Sequence, residues 1–437
     1  MDDQLLINAS EAKIDRQMAL FKRLGVDRLR VSAFWRDHAP GSNSRRRPAN
    51  FDPTDGFDPA YNFESLDRIV ASATAAKLKV MLSISTPGPS WAAGKALDRP
   101  GLRKPDPREF GLFAAAVAER YAPYVDHYGA SNEPNQPGWL MPQSDSDGVF
   151  APHHYRAMVQ AAYPRIKEAD AESVVLVGEL ASTGRVGSGS AKAIRPLAFL
   201  RAMACVDRRY RPVRSGRCRD FEPVPLDAIG HHPYALFSAP RTRSRPRDDA
   251  AIGDGRRLLR ALDRLTGVGA LEPSGGERLD VFYTEFGYQT NPPDPFAGIP
   301  LSRQNRYLQD AAYLSWRTPR IRGLNQFRLT DGAVYDEPGP TRYREFQSGL
   351  LFADRRKKPA YRSFPHPFVI AGSRFWGQVR PGGRHTVTIQ VRRAGGWQDV
   401  EELRTDSSGY FRTGGAQPRA TYRYVYDGGQ SSTTRAR

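Results

Sequence analysis

Helical patterns and short strand-like runs alternate seven times in succession over the first 365 residues of this 437-residue chain. The first helical stretch, residues 11–24, carries Ile14, Met18, Phe21 and Leu24 at helical spacing, and Gly25 stops it. A strand-like run at 27–34 follows. The same order repeats, with helices at about 63–76, 107–121, 152–169, 195–203, 253–265 and 302–316 and strands at 79–85, 125–130, 173–178, 227–231, 279–284 and 323–328. Serial alternation of this kind predicts parallel strands joined by crossover helices. Seven strands fall one short of an eight-stranded barrel. The absent one would precede the first helix, where only MDDQLLI stands. The expected fold class is α/β, a (β/α)8 TIM barrel lacking its first strand in this chain. A doubly wound open sheet is the competitor, but no Gly-rich phosphate loop follows any early strand. An open gap would leave two unpaired strand edges, which favour aggregation. We therefore expect a longer gene product to supply the first strand and a signal peptide.

Past residue 365 the helical period disappears. Strand-like runs at 377–380, 386–392, 397–403, 410–412 and 422–426 are separated by Gly-rich turns. They predict a small all-β, Ig-like sandwich. The expected organisation is a barrel domain over 1–365 and an accessory β domain over 366–437, without a catalytic constellation of its own.

Composition narrows the function classes. Hydrophobic residues make up 39% of the chain, enough for a large core, so a wholly disordered chain is excluded. No run approaches the ~18 apolar residues of a membrane span. The first 25 residues carry charges throughout and do not read as a secretory signal. The formal charge is +18, from 55 arginines and 10 lysines against 47 acids. The arginines are scattered, at Arg45–Arg47, Arg241–Arg247, Arg256, Arg257, Arg355 and Arg356. They do not interleave with aromatics on a periodic face, so general surface charge is favoured over a polyanion site. Cys205 and Cys218 lie 13 positions apart in CVDRRYRPVRSGRC, with no His or further Cys at metal-ligand spacing. A loop-closing disulfide is favoured over two free thiols, and it implies an oxidising compartment.

Two strand ends carry the chemistry. Ser131-Asn132-Glu133-Pro134-Asn135 follows YVDHYGA, and Tyr283-Thr284-Glu285-Phe286-Gly287 follows LDVF. In a parallel barrel the C-terminal ends of the strands meet at one mouth. Glu133 and Glu285 should therefore face one cleft. Paired carboxylates are what glycoside hydrolysis needs, one as proton donor and one as nucleophile or base. Glu179, at the end of another strand, is a third carboxylate at the mouth, expected to be solvated or to touch substrate.

In these features residues 11–365 resemble the clan A glycoside hydrolases, of the actinobacterial secreted type. That clan carries Asn-Glu-Pro after the fourth strand of a (β/α)8 barrel and a Glu ending the seventh. With the absent strand counted, Glu133 and Glu285 take those places. The resemblance implies Glu133 as acid/base and Glu285 as nucleophile in a retaining hydrolase of β-linked oligo- or polysaccharides. It implies Arg30 beneath the nucleophile, kept ionised by its surroundings, and Asn132 on a sugar 2-hydroxyl. His232-Pro233-Tyr234 matches the segment whose tyrosine contacts the nucleophile, and one of His231 and His232 should line the cleft. Trp35 and Trp91 fall where sugar-stacking aromatics are common. Gly349-Leu350-Leu351 and Lys358-Pro359-Ala360-Tyr361 resemble the segment that closes such barrels. The clan's tryptophan at the end of strand eight is missing from Gly323-Leu324-Asn325-Gln326-Phe327-Arg328. Phe327 or Gln326 is expected in its place.

No HExxH, CxxC, P-loop or nucleophile elbow occurs, so no metal or cofactor is expected. The partner expected is a polysaccharide or oligosaccharide, not nucleic acid, and the location extracellular or cell-wall associated. Two other classes are less favoured. One is a catalytically weak barrel that binds cell-wall polysaccharide, the other a nucleic-acid binder suggested by charge alone.

Overall fold

The computed structural model describes residues 1–95, 100–185, 187, 189–276 and 278–436. Seven parallel strands form one curled sheet in chain order: β1 (Arg28–Phe34), β2 (Lys79–Ser85), β3 (Val125–Ala130), β4 (Val174–Ala181), β5 (Ala228–His232), β6 (Val281–Phe286) and β7 (Ile321–Gln326). Each is preceded by a helix: α1 (Glu11–Arg23), α2 (Glu64–Ala75), α3 (Pro107–Tyr121), α4 (Ala151–Ala169), α5 (Pro196–Met203), α6 (Gly255–Gly267) and α7 (Leu301–Arg317). The expected alternation is present in full, and the fold class is that of a (β/α)8 barrel.

The eighth position is not an unfilled gap. Asp2 forms parallel bridges with Arg30 on one side and Phe327 on the other. Its N–H donates to the Gln326 carbonyl at 2.9 Å, and its own carbonyl accepts from Arg328 N–H at 2.7 Å. Arg30 N–H donates to the Met1 carbonyl at 2.8 Å. A single residue thus joins the sheet's two edges. Periodicity cannot reveal so short an element, because one residue has no period.

Local chemistry explains the helix boundaries. Asp106 caps α3, its side chain accepting from Glu109 N–H at 3.0 Å, and Pro107 takes the first helical position. In α6, Leu258, Leu259, Leu262 and Leu265 are buried on one face. Strand residues alternate between two environments. Leu29, Val31 and Ala33 of β1 join the large core under the helices, whereas Arg30 and Ser32 occupy the other face. Within the sheet's curl Met81, Leu176 and Ala228 form a separate small apolar cluster, with Val174 and Phe282 against it.

Trp35 is a core residue, 1% exposed, not a sugar platform. It stacks on Phe113 and meets Phe110 and Trp91 edge-on. Trp91 is partly buried against Trp35 and Phe51, and its Nε1–H donates to the Pro40 carbonyl at 3.0 Å. The loop after β1 folds back under its neighbours, which strand position alone does not disclose.

Beyond the barrel, β8 (Phe368–Ala371), β9 (Arg374–Gln378) and β12 (Tyr410–Thr413) pair antiparallel. β10 (Thr386–Arg393), β11 (Gly396–Arg404) and β13 (Thr421–Tyr426) form the second sheet, extended by short strands at 429–430 and 434–435. Val387, Ile389 and Val391 point from β10 into a core shared with Phe368, Phe375, Phe411, Tyr422 and Tyr424. The first strand, β8, lies in a segment read as carrying no strand. Trp376 turns the other way, against Tyr313 and Trp316 of α7 and Tyr410 of β12. Beside it the Arg380 guanidinium donates to the Phe364 carbonyl at 2.9 Å. Cys205 and Cys218 form a disulfide across a Cα–Cα distance of 5.6 Å.

Trp35→Ala should lower the unfolding free energy by about 3–5 kcal/mol, the usual cost of emptying a buried indole site. Denaturant midpoints of the barrel transition measure it. An unchanged midpoint would return Trp35 to the surface role its sequence position suggested.

Candidate active site

Arg30 lies in the middle of β1 with its side chain 1% exposed. A buried guanidinium must find partners for its fork of N–H donors. Nε donates to Glu179 Oε1 at 2.8 Å, and Nη2 donates to Asn132 Oδ1 at 2.8 Å. Nη1 donates to Glu285 Oε1 at 2.9 Å and also to Asp2 Oδ2. Three carboxylates from three distant parts of the chain therefore surround one cation.

Glu179 is neither solvated nor open to substrate. It is fully buried, and its second oxygen accepts from the Ser83 hydroxyl. Its space exists because two neighbours lack side chains. A Cβ on Gly129 would stand 2.4 Å from Glu179 Oε2, and one on Gly230 would stand 2.6 Å from its Cγ. Burial by itself would raise its pKa. Arg30 foremost, with His232 and Ser83, holds the carboxyl below the ordinary range.

Glu285, at the end of β6, is 9% exposed. Besides Arg30 it accepts a hydrogen bond from Tyr234 Oη at 3.0 Å on Oε2. His232, at the end of β5, is fully buried and faces both glutamates through Nδ1, 3.0 Å from Glu133 Oε1 and 3.6 Å from Glu285 Oε2. One imidazole nitrogen is thus shared by two carboxylates. Burial pushes the Glu285 carboxyl up to about 7, against the opposing pull of His232 and Arg30. The expectation that its neighbours would keep it fully ionised underweights that desolvation. Burial acts on His232 in the opposite sense, but Glu285 and Glu133 raise it above its usual value.

Glu133 sits on a turn fixed from below. Its φ is +38°, in the left-handed region uncommon for residues with side chains. Its N–H donates to the Glu179 carbonyl at 3.2 Å. The Asn132 N–H donates to Ser85 Oγ at 3.0 Å. Asn135 ties the turn to β4, accepting from Ala181 N–H at 2.9 Å and donating to its carbonyl at 3.1 Å. The carboxyl tip stays partly open, with its side chain 19% exposed.

The structure brings together Arg30, Asn132, Glu133, His232, Tyr234 and Glu285. Phe327 joins them, meeting the Tyr234 ring edge-on at 6.2 Å. Gln326 does not, since its amide donates to the Phe327 and Ser348 carbonyls at 2.9 Å each. His231 points away and pairs with the Ala250 carbonyl at 2.6 Å, and burial lowers its pKa to about 4. Trp35 and Trp91 stay with the core.

Sequence reasoning missed four neighbours of the site. Asp2 and Ser83 carry no motif. Phe34, ending β1, stacks on Trp139 at 5.9 Å and 9°. Trp139 lies four residues past the Asn135 that anchors the glutamate turn, and Thr86 just beyond β2 donates to its carbonyl. Both rings are partly exposed on the C-terminal face. The signal available was a Trp in the Asn-Glu-Pro loop itself.

Glu133, His232 and Glu285 bring one ligand atom each within 4.8 Å of one another, a set able to ligate a metal ion. The Arg30 cation 2.9 Å from Glu285 opposes a second positive charge there. His153 lies near Cys205 and Cys218, whose sulfurs are already committed to the disulfide.

No protein-family model matches the chain, and no curated protein matches it. Solved structures do. A family 39 glycoside hydrolase from Bacteroides cellulosilyticus WH2 superposes with a TM-score of 0.53 at 15% identity, over 93% of this chain and 76% of that one. A GH5_18 protein from Streptomyces cattleya, solved in complex with Manb1-4GlcNAc, gives 0.53 at 16%, over 82% and 75%. A hyperthermophilic β-glucosidase from Pyrococcus furiosus gives 0.50 at 16%, over 81% and 83%. Identities this low speak for the fold alone. Strand order, closure and these likenesses together give this chain a (β/α)8 barrel fold similar to that of these solved glycoside hydrolases.

Proposed function

We propose that this chain is a retaining hydrolase of β-linked oligo- or polysaccharides. The observation that carries the reading is the approach of the two glutamates, with a carboxylate oxygen of Glu133 and one of Glu285 within 4.8 Å of each other. Retaining enzymes hold their carboxyl groups about 5–5.5 Å apart, whereas inverting ones need roughly 6.5–9.5 Å to admit water. Glu133, the more exposed of the two, gives its proton to the glycosidic oxygen as the C–O bond breaks. Glu285 attacks the anomeric carbon and forms a glycosyl ester. Water then adds to that carbon, its proton returns to Glu133, and the Glu285 carboxylate is released.

The surrounding residues take supporting roles. Arg30 and Tyr234 fix both oxygens of Glu285 and stabilise its anion. His232 relays charge between the carboxylates, so that one proton serves the pair. Asn132 is anchored through its oxygen to Arg30, which leaves the amide nitrogen for a sugar hydroxyl. Trp139 stacked on Phe34 offers a ring face for a sugar further along the chain of substrate. The Cys205–Cys218 disulfide supports an extracellular or cell-wall location.

A panel of aryl β-glycosides tests the reading directly. Glu285→Ala should reduce kcat by about a thousandfold or more on whichever glycoside turns over. Glu133→Ala should lose about 10²–10⁴-fold, and distinctly less on a dinitrophenyl glycoside, whose leaving group needs no proton. Well-folded protein with no turnover on any glycoside or β-glycan would refute the hydrolase. Because only ionised Glu285 can attack, kcat/KM should climb with pH toward a limb near 7, well above an ordinary glutamate's ~4.3. A limb at pH 4–5 would contradict that. Trp139→Ala should raise KM for an oligosaccharide about fivefold, equivalent to ~1 kcal/mol of lost stacking.

A further inference from the structure

The α6 sequence GRRLLRALDRLTG buries its leucines and leaves Arg256, Arg260 and Arg264 exposed, four residues apart. Like charges at that spacing repel and destabilise a helix. Beside them a hollow of about 380 Å³ opens between α5, α6, the disulfide loop and the loop after β5. Six guanidiniums line it: Arg201, Arg208, Arg247, Arg257, Arg260 and Arg264. The only acid in the lining is Asp248, bound to Arg201 at 2.8 Å. Arg257 is held by Asp254 at 3.1 Å. Among the described residues the other four, all exposed, have no carboxylate partner.

The hollow is built rather than incidental. Tyr210 contributes a ring flanked by the guanidiniums of Arg264 at 5.1 Å and Arg201 at 5.9 Å. Arg208 and Tyr210 lie between Cys205 and Cys218, in a loop closed by the disulfide and pinned by the Val213 N–H to the Cys205 carbonyl at 2.8 Å. Four cations without a carboxylate partner around one concave surface create a positive potential that attracts an anion, and guanidinium forks match carboxylate and sulfate groups bidentately. The volume falls within the range of small-ligand sites, about 300–1,000 Å³.

We propose that this hollow binds an anionic glycan, through carboxylate or sulfate groups held by Arg208, Arg247, Arg260 and Arg264, with the Tyr210 ring backing the Arg264 guanidinium. A half-open hollow of limited extent suits a short stretch of sugar better than the extended stripe that follows a nucleic-acid backbone. The choice of a glycan rests on the hydrolase reading above. The scattered distribution of arginines in sequence hid the site, because its six members come from α5, the disulfide loop, the loop after β5 and α6.

The full-length protein would be titrated with a heparin-derived hexasaccharide, a galacturonate hexamer, neutral cellohexaose and a single-stranded DNA of matched charge. Arg208→Glu/Arg260→Glu should weaken binding of an anionic hexasaccharide by about tenfold or more, and Arg45→Glu/Arg46→Glu, equal in charge but elsewhere, by less than about twofold. Cellohexaose binding should ignore both. Equal weakening by the two double variants, no binding of either anionic glycan, or DNA bound more tightly than both would overturn the proposal. Aryl glycoside turnover is read in parallel and should be the same in all three proteins. Its absence from the unmodified protein would strike the hydrolase reading and leave the binding result standing.

Discussion

The Arg30 guanidinium, sealed inside the barrel, is the interaction on which the rest of the site depends. Removing a charge from water costs several kcal/mol unless its surroundings replace the lost hydration. Here Asp2, Glu179, Glu285 and Asn132 do so together. These four residues come from the N-terminus, β4, the end of β6 and the turn after β3. One cation thus fixes the relative positions of the strand that closes the barrel, the proposed nucleophile and the turn that carries the proposed acid. Burial is the main reason the Glu285 pKa is raised, with Asp2 and Glu133 adding to it, and Glu285 and Glu133 raise that of His232.

The barrel interior is graded by polarity. Met81, Leu176 and Ala228 make a dry cluster, Arg30, Ser83 and Glu179 a buried charged group, and Glu133 and Glu285 a partly open rim. Gly129 and Gly230 belong to the charged group because Glu179 occupies the space their side chains would need. The same desolvation that makes Glu285 hard to ionise also strengthens every contact it makes, since electrostatic interactions grow as water is excluded.

Much of this was legible in the sequence, and what was not has definite physical causes. Helices and strands carry periods, so all seven pairs were visible, as were both glutamates at strand ends. Asp2 was invisible because a one-residue bridge has no pattern. Glu179 looked like a solvated carboxylate because its burial depends on glycines in β3 and β5 and an arginine in β1, all distant in sequence. Trp35 was expected at the surface and is buried, while Trp139, to which no role was given, stands partly exposed. Both follow strands, and only the path of the loop decides which ring is swallowed by Phe110 and Phe113 and which stays at the rim. β8 escaped notice because Phe368–Ala371 is short and lies directly after the barrel's last turn.

The contact of Trp376 with Tyr313 and Trp316 bears on how separable the β-sandwich is from the barrel. The indole of Trp376 is 2% exposed because α7 covers it, and Arg380 reaches across to the Phe364 carbonyl. A cut near residue 365 would leave large aromatic surfaces bare on both fragments. The sandwich is therefore less an interchangeable appendage than a second wall of the barrel's own foundation. Recombination that swaps such modules between enzymes would have to carry α7 along with it.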